Sequence, residues 1–259
     1  IAGQSVVFDC VGSMSAAASM QDSVTTFRQE CQAHVALFDA CAALEFSPVV
    51  VFPSTRLVYG MPKTVPVDET HPTDPMSNYA LAKLTVEKFL DISHRTFGLR
   101  SRVFRLSNPY APQVRIDQCQ YNIISRFALA ISRGEKVQIY GDGSQLRDYV
   151  HIYDVVSTFL TSGADEDPTH EVFNLGGPEA ISIRDAVQLF VEAVDGPKPE
   201  FVPWPEVSLQ IETGNYYSNI DKLTSRYELP PFTSPRTGLK ELILNYERQK
   251  EGEKTVYAR

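Results

Sequence analysis

The sequence predicts an α/β protein built on a doubly wound parallel sheet, from three observations. Apolar runs of strand length recur along the chain, helical periodicities lie between them, and the runs do not alternate with polar residues. Strands that read as continuous apolar runs are buried on both faces, which is the condition of a parallel sheet covered by helices. The runs are Ser5 to Cys10, Pro48 to Phe52, Ser101 to Leu106, Val137 to Tyr140 and Glu171 to Leu175. Between the first two, Phe27 to Leu44 carries Phe27, Cys31, Val35, Phe38, Cys41 and Ala42 at helix-like spacing. Tyr79 to Phe97 repeats the pattern with Leu81, Leu84, Phe89, Ile92 and Phe97.

After Asn108 and Pro109 the texture changes. A polar loop runs to Cys119, a helix to about Arg133, then come Gly141-Asp142-Gly143, short strands, and proline-rich stretches around Pro197 to Pro205 and Pro230 to Pro235. The boundary is placed near 108, so residues 1–108 form a partial dinucleotide-binding sheet domain and residues 109–259 a smaller α/β substrate lobe. The charged segment Gln249 to Arg259 is expected to fray.

With 259 residues, 43% of them hydrophobic, the chain can bury a substantial core. Its net charge of −8 and lack of a basic run exclude a nucleic-acid partner. The cysteines Cys10, Cys31, Cys41 and Cys119 lack the spacing of a zinc site and read as buried reduced thiols, and no metal site is expected. No apolar stretch is long enough to span a bilayer, so the expected setting is the cytoplasm. The chain opens Ile1-Ala2-Gly3 and enters an apolar run within a few residues, which reads as a protein entered partway through.

The sharpest chemical feature is Tyr79 followed four residues later by Lys83. That step puts both side chains on one helix face. An ammonium beside a phenol favours the phenolate, and a drop of about three pKa units corresponds to about 4 kcal/mol. Tyr79 would then accept a proton near neutral pH. By itself the pattern fits a surface tyrosine-lysine pair equally well. Upstream, however, the buried strand at 49–52 runs into Ser54 and Thr55, and ligands of open α/β sheets sit at the carboxyl ends of strands.

In order and spacing, STRLVYG at 54–60, SNYALAK at 77–83, FRLSNPYAP at 104–112, VQIYGDGSQLRDYVHIYD at 137–154 and FNLGG at 173–177 resemble one family. It is the NAD-dependent epimerase/dehydratase branch of the extended short-chain dehydrogenases/reductases. The resemblance implies that Tyr79 is the catalytic acid/base, Lys83 its partner and ribose contact, and Thr55 the hydroxyl that orients the sugar oxygen, with Ser54 in support. It places Ser107 and Pro109 beside the nicotinamide and Asn108 near the substrate phosphates. Gln138 and Tyr140 would flank the nucleotide base, and Arg147 would clamp the diphosphate. Asn215 stands where relatives make a ribose contact. His151 and Asp154 follow the pattern, and a lone histidine there is more often structural than catalytic. The helices near 27–44 and 79–97 match the pair that builds a dimer interface, so a homodimer is implied.

The family's GxxGxxG turn does not occur in the sequence, and Gly12 is the one remnant of a cofactor-facing turn that can be proposed. The resemblance implies that this turn and three strands precede Ile1. Three further departures bear on activity. Arg56 and Leu57 stand where dehydratases carry an acidic pair, Glu30 replaces an asparagine, and Glu212 replaces a phosphate-binding arginine. The implied function is epimerisation of a nucleotide-diphosphate sugar at C4, with NAD, or in the alternative NADP, as cofactor. The alternatives are a reductase of a nucleotide-linked keto sugar and a catalytically silent ligand-binding relative.

Overall fold

In the computed structural model the chain is described over residues 1–12, 16–112, 122–167 and 169–257. Four parallel strands form the main sheet: β1 (Val6–Phe8), β2 (Val49–Thr55), β3 (Ser101–Leu106) and β7 (His170–Leu175), in that order. Thr55 pairs with Leu106, and Leu106 with Leu175, so three strands end level at the carboxyl edge. β7 lies beyond residue 108 in sequence and still supplies the fourth strand of this sheet.

One face is covered by α1 (Ala16–Ser19), α2 (Ser23–Phe27), a π-helical turn (Arg28–Gln32), α3 (Ala33–Ala42) and α4 (Asn78–Phe97). Phe38, Cys41, Val50, Phe52, Val86, Leu90 and Val103 fill the space between. The helix expected over 27–44 is therefore a π-helical turn that follows α2 and runs without a break into α3, ending at Ala42. By contrast, α4 follows its sequence signals closely. The Ser77 hydroxyl caps its start by accepting from the Ala80 amide at 3.3 Å, and Gly98, at φ 71°, closes its end.

The second lobe contains β4 (Asn108–Tyr110) parallel to β6 (Leu146–His151), β8 (Ala180–Ser182) antiparallel to β6, and β5 (Gln138–Tyr140) parallel to β9 (Glu200–Val202). Around these strands, α5 (Ile123–Ser132), α7 (Ile183–Val194) and α10 (Pro235–Tyr257) enclose Phe127, Ile131, Phe190, Leu239, Leu242 and Tyr246. The last helix continues to Tyr257, past the point where fraying was expected. Meanwhile α6 (Ile152–Gly163) and α9 (Asp221–Arg226) pack Val155, Phe159 and Leu223 on the main sheet, and the short α8 (Glu206–Gln210) lies at the surface. At the crossing between lobes, a Cβ on Gly177 would lie 2.1 Å from the Tyr149 carbonyl oxygen, so the close approach requires glycine. Among the described residues no helix is long and apolar enough to cross a membrane.

The strand 101–106, read as an apolar run, carries two buried arginines. Arg102 reaches the Tyr227 hydroxyl at 3.0 Å, the Thr169 carbonyl at 2.7 Å and the Asp165 carboxylate at 3.2 Å. Arg105 forms a fork on Glu87 of α4, with Nη2 to Oε2 at 2.7 Å, and Ser54 donates to the same carboxylate. This ion pair ties α4 to β2 and β3. Because truncation leaves a buried charge unanswered, Glu87→Ala should cost about 3–5 kcal/mol. The double variant Glu87→Leu with Arg105→Met should cost clearly less. Urea denaturation checks both, and a loss below about 1 kcal/mol for the single variant would show that the pair does not fasten the helix.

Candidate active site

β2 packs against α4, so that Phe52 meets Lys83 and Ser54 meets Glu87, while Thr55 ends the strand with its hydroxyl accepting from the Leu57 amide at 3.3 Å. Tyr79, Lys83 and Glu87 follow at four-residue steps along a single helix face. The Lys83 ammonium lies 4.7 Å from the centre of the Phe52 ring and 6.0 Å from that of Tyr79. Its carboxylate partner is Glu30, at 3.7 Å, delivered by the π-helical turn and fully buried. Gly12 closes over this pair at φ 145°; a Cβ there would stand 3.0 Å from Glu30 Oε2 and 3.5 Å from Lys83 Nζ. Nearby, Asp9 Oδ2 and His34 Nδ1 lie 2.6 Å apart with both side chains buried, linking the end of β1 to α3.

This arrangement reverses one expectation. Tyr79 was expected to ionise more easily beside Lys83; instead burial, and then the Glu30 charge, push it up to about 12. The physical reason is first the loss of hydration of the buried phenol and then the nearby Glu30 charge. Lys83 is itself held below its ordinary pKa by burial, and its remaining charge is answered by Glu30 rather than by the phenol. Tyr79 is therefore a neutral phenol at physiological pH.

The second group of predicted residues surrounds β6. Ser107 Oγ donates to the Asp148 carbonyl at 2.7 Å, and Asn108 Nδ2 reaches the same oxygen at 3.3 Å. Arg147 is buried and already engaged: Nη2 meets Glu212 Oε1 at 2.6 Å and Nη1 donates to the carbonyls of Leu146 and Gly214. Glu212, which replaces an expected arginine, thus neutralises the other expected clamp. Asn215 Oδ1 accepts from the Leu146 amide at 3.0 Å and fixes the segment that carries Glu212. Arg56 enters the same group, donating to Thr213 Oγ1 at 2.8 Å and stacking 4.9 Å from the Tyr216 ring centre. Burial, then repulsion from Arg147, lowers it to about 10. Asp148 is buried beneath them; desolvation pushes it up to about 6 against hydrogen bonds from Ser218.

Gln138 and Tyr140 stand apart on β5, where Gln138 is exposed and Tyr140 packs 5.3 Å from Trp204. Pro109 accepts at its carbonyl from Asn122. His151 and Asp154 have structural partners: His151 Nδ1 caps α6 through the Tyr153 amide at 3.2 Å, and Asp154 accepts from the Thr233 amide at 2.9 Å. Cys31 and Cys41 are buried as expected, whereas Cys10 is exposed, because β1 ends at Phe8 and leaves it beyond the sheet; Cys119 lies outside the described residues. Asp148, Thr213 and Tyr216 were not singled out from the sequence, since nothing local distinguishes them and the fold alone gathers them around two arginines.

A model of the NAD dependent epimerase/dehydratase family matches residues 2–176. UDP-glucose 4-epimerase of Mycolicibacterium smegmatis is 29% identical over 199 residues, covering 76% of this chain and 63% of that protein. Among solved structures, UDP-glucose 4-epimerase of Thermotoga maritima with UDP-glucose superposes with a TM-score of 0.85 at 25% identity, covering 95% of this chain and 78% of the other. MoeE5 in complex with UDP-glucose and NAD gives 0.84 at 27% identity, covering 95% and 80%. The chain spans 45%, 63% and 67% of the length of three curated relatives it matches.

The buried Asp148 carboxyl gives a pH signature. Its pKa is higher folded than unfolded, so its favourable contribution is complete below about pH 4 and is lost as pH rises through about 6. The change is roughly 3 kcal/mol at most. Denaturation of Asp148→Asn across this interval should show a flatter stability profile than wild type, and parallel profiles would mean that Asp148 does not titrate there.

Proposed function

This chain belongs to the NAD dependent epimerase/dehydratase family, and from that membership and its site we propose that it epimerises a nucleotide-diphosphate sugar at C4 through a 4-keto intermediate. The observation that carries the reading is the set of Tyr79, Lys83 and Thr55 at the carboxyl edge, combined with Arg56 and Leu57 in place of an acidic pair. A proton and a hydride can be moved with the first three groups. Expelling a hydroxyl as water needs a second acid, which Arg56 and Leu57 cannot supply.

The residues present fit the nicotinamide end of a dinucleotide. At Gly12 the backbone passes directly above Lys83 and Glu30 where a side chain would intrude, and an ammonium and a carboxylate together suit a ribose diol. When bound, NAD supplies the acceptor and donor of hydride. Of the chain's own groups, Thr55 orients the sugar hydroxyl, Tyr79 takes its proton and later returns it, and Lys83 holds positive charge beside the phenol. Because Tyr79 titrates at about 12 with Glu30 close by, it needs added positive charge before it can act as a base. Ser54 holds Glu87 in place, Ser107, Asn108 and Pro109 border the cleft, Arg147 with Asn215 beneath it meets the diphosphate, and Gln138 and Tyr140 meet the base. The engagement of Lys83 and Arg147 by Glu30 and Glu212 favours, as a second reading, a relative that binds nucleotide sugars without turning them over.

Exposed Val24 and Phe27 on α2, with Leu81, Phe89 and Ile92 on α4, support a symmetric dimer through these helices. Light scattering should give twice the chain mass at micromolar concentration, and a monomer would count against it.

The enzyme incubated with UDP-, dTDP-, GDP- and CDP-sugars should yield an isomer of unchanged mass. Tyr79→Phe should lower turnover by about 10² to 10⁴ while leaving affinity nearly intact. Loss of the mass of water would indicate dehydration, steady consumption of NAD(P)H a reductase, and binding without conversion the silent relative.

A further inference from the structure

Five basic side chains are buried among the described residues: Arg56, Lys83, Arg102, Arg105 and Arg147. Four of them have a carboxylate within reach, at 3.7 Å for Lys83, 3.2 Å for Arg102, 2.7 Å for Arg105 and 2.6 Å for Arg147. Arg56 is the exception. It is 8% exposed, its hydrogen bond is to the neutral Thr213 hydroxyl, and no described carboxylate lies within ion-pair distance. Of the acids whose charge reaches it, Glu212 is bonded to Arg147, and Asp148 accepts from the Ser218 amide through Oδ2 while its buried Oδ1 has no hydrogen-bond partner and stays outside ion-pair distance of Arg56. Arg147 adds a second guanidinium that repels it.

A buried cation with a hydroxyl and a ring face as its partners is poorly compensated for the hydration it has lost. Such a group is stable when an anion arrives from outside, and a guanidinium suits an anion with two oxygens in one plane. Its position narrows the source. Arg56 opens the 3-10 turn directly after Thr55, the last residue of β2, and touches Thr213, the residue that follows Glu212. An anion there would lie beside the end of β2 that carries Thr55 and close to Arg147, the arginine assigned to the diphosphate.

We propose that Arg56 is a specificity-determining residue that takes an anionic oxygen of the substrate, either a carboxylate on the sugar or an oxygen of the diphosphate. This rests on the nucleotide-sugar reading above. With epimerisation at C4, a carboxylate at C6 is the sugar anion closest to the reacting carbon, so the first source makes the substrate class a nucleotide-linked hexuronate.

The test compares wild type with Arg56→Gln and Arg56→Lys by calorimetric titration with UMP, UDP, UDP-glucose and UDP-glucuronate, and by thermal shift with inorganic pyrophosphate and free glucuronate. If the sugar carboxylate is the partner, Arg56→Gln weakens UDP-glucuronate at least tenfold and leaves UDP-glucose within twofold. If the diphosphate is the partner, UDP and both UDP-sugars weaken together while UMP changes little. Arg56→Lys restores part of the loss in either case. Ligand-free Arg56→Gln should melt at or above the wild-type temperature, because an unanswered charge has been removed; a marked drop would assign Arg56 a structural role and overturn the proposal. If no nucleotide binds but pyrophosphate or glucuronate still protects wild type and not Arg56→Gln, the anion site stands and the nucleotide reading fails. Equal response of wild type and Arg56→Gln to every probe overturns the proposal.

Discussion

A positive charge taken out of water is costly unless a negative one meets it within a few ångströms, and four such pairs organise the molecule around its sheet. Glu87 meets Arg105 and fastens α4 to the two central strands. Asp165 meets Arg102 at the far end of β3, where Tyr227 and the 165–169 segment close over it. Glu30 meets Lys83, and Glu212 meets Arg147. Each pair joins elements distant in sequence, so the same contacts that neutralise charge also fix how helices and loops sit on the sheet.

The requirement also shapes chemistry. A tyrosine beside a free ammonium would ionise readily; beside a balanced ammonium and a buried carboxylate it does not. Tyr79 thus holds its proton more tightly than a free tyrosine, first because it is buried and then because of the Glu30 charge. Likewise the Arg147 guanidinium is already answered by Glu212, an internal anion, so an external anion would have to compete for it.

Much of the fold was legible because its signals are local. β3 spans the residues read from the sequence, and α4 begins one residue before its expected start. Ser77 and Gly98 act at their own ends of that helix, and the β-branched run 49–51 forms the buried core of β2. The π-helical turn was illegible, since the apolar spacing of 27–44 tolerates one wider turn without losing its stripe. Arg102 and Arg105 were hidden in a run whose neighbours are apolar. For the site, the four-residue step put Tyr79 and Lys83 on one helix face, while the upward shift of the tyrosine was illegible because it comes first from burial by the surrounding fold and then from Glu30, on another helix. The importance of Glu212 could be sensed from its charge, but its partner lies 65 residues away and emerges only from the pairing of lobes.

The strand order of the main sheet carries a consequence for how this architecture can be divided. Its outermost parallel strand, β7, is contributed by chain that has already built β4, β5 and β6 of the other lobe. The two lobes are therefore interlaced rather than strung in series. Severing the backbone after Asn108 would leave β3 with a bare edge and strand β7 without its sheet, two surfaces prone to mispairing. Neither lobe is a portable module that recombination could exchange cleanly, since the main sheet is completed only by chain that has already passed through the other lobe.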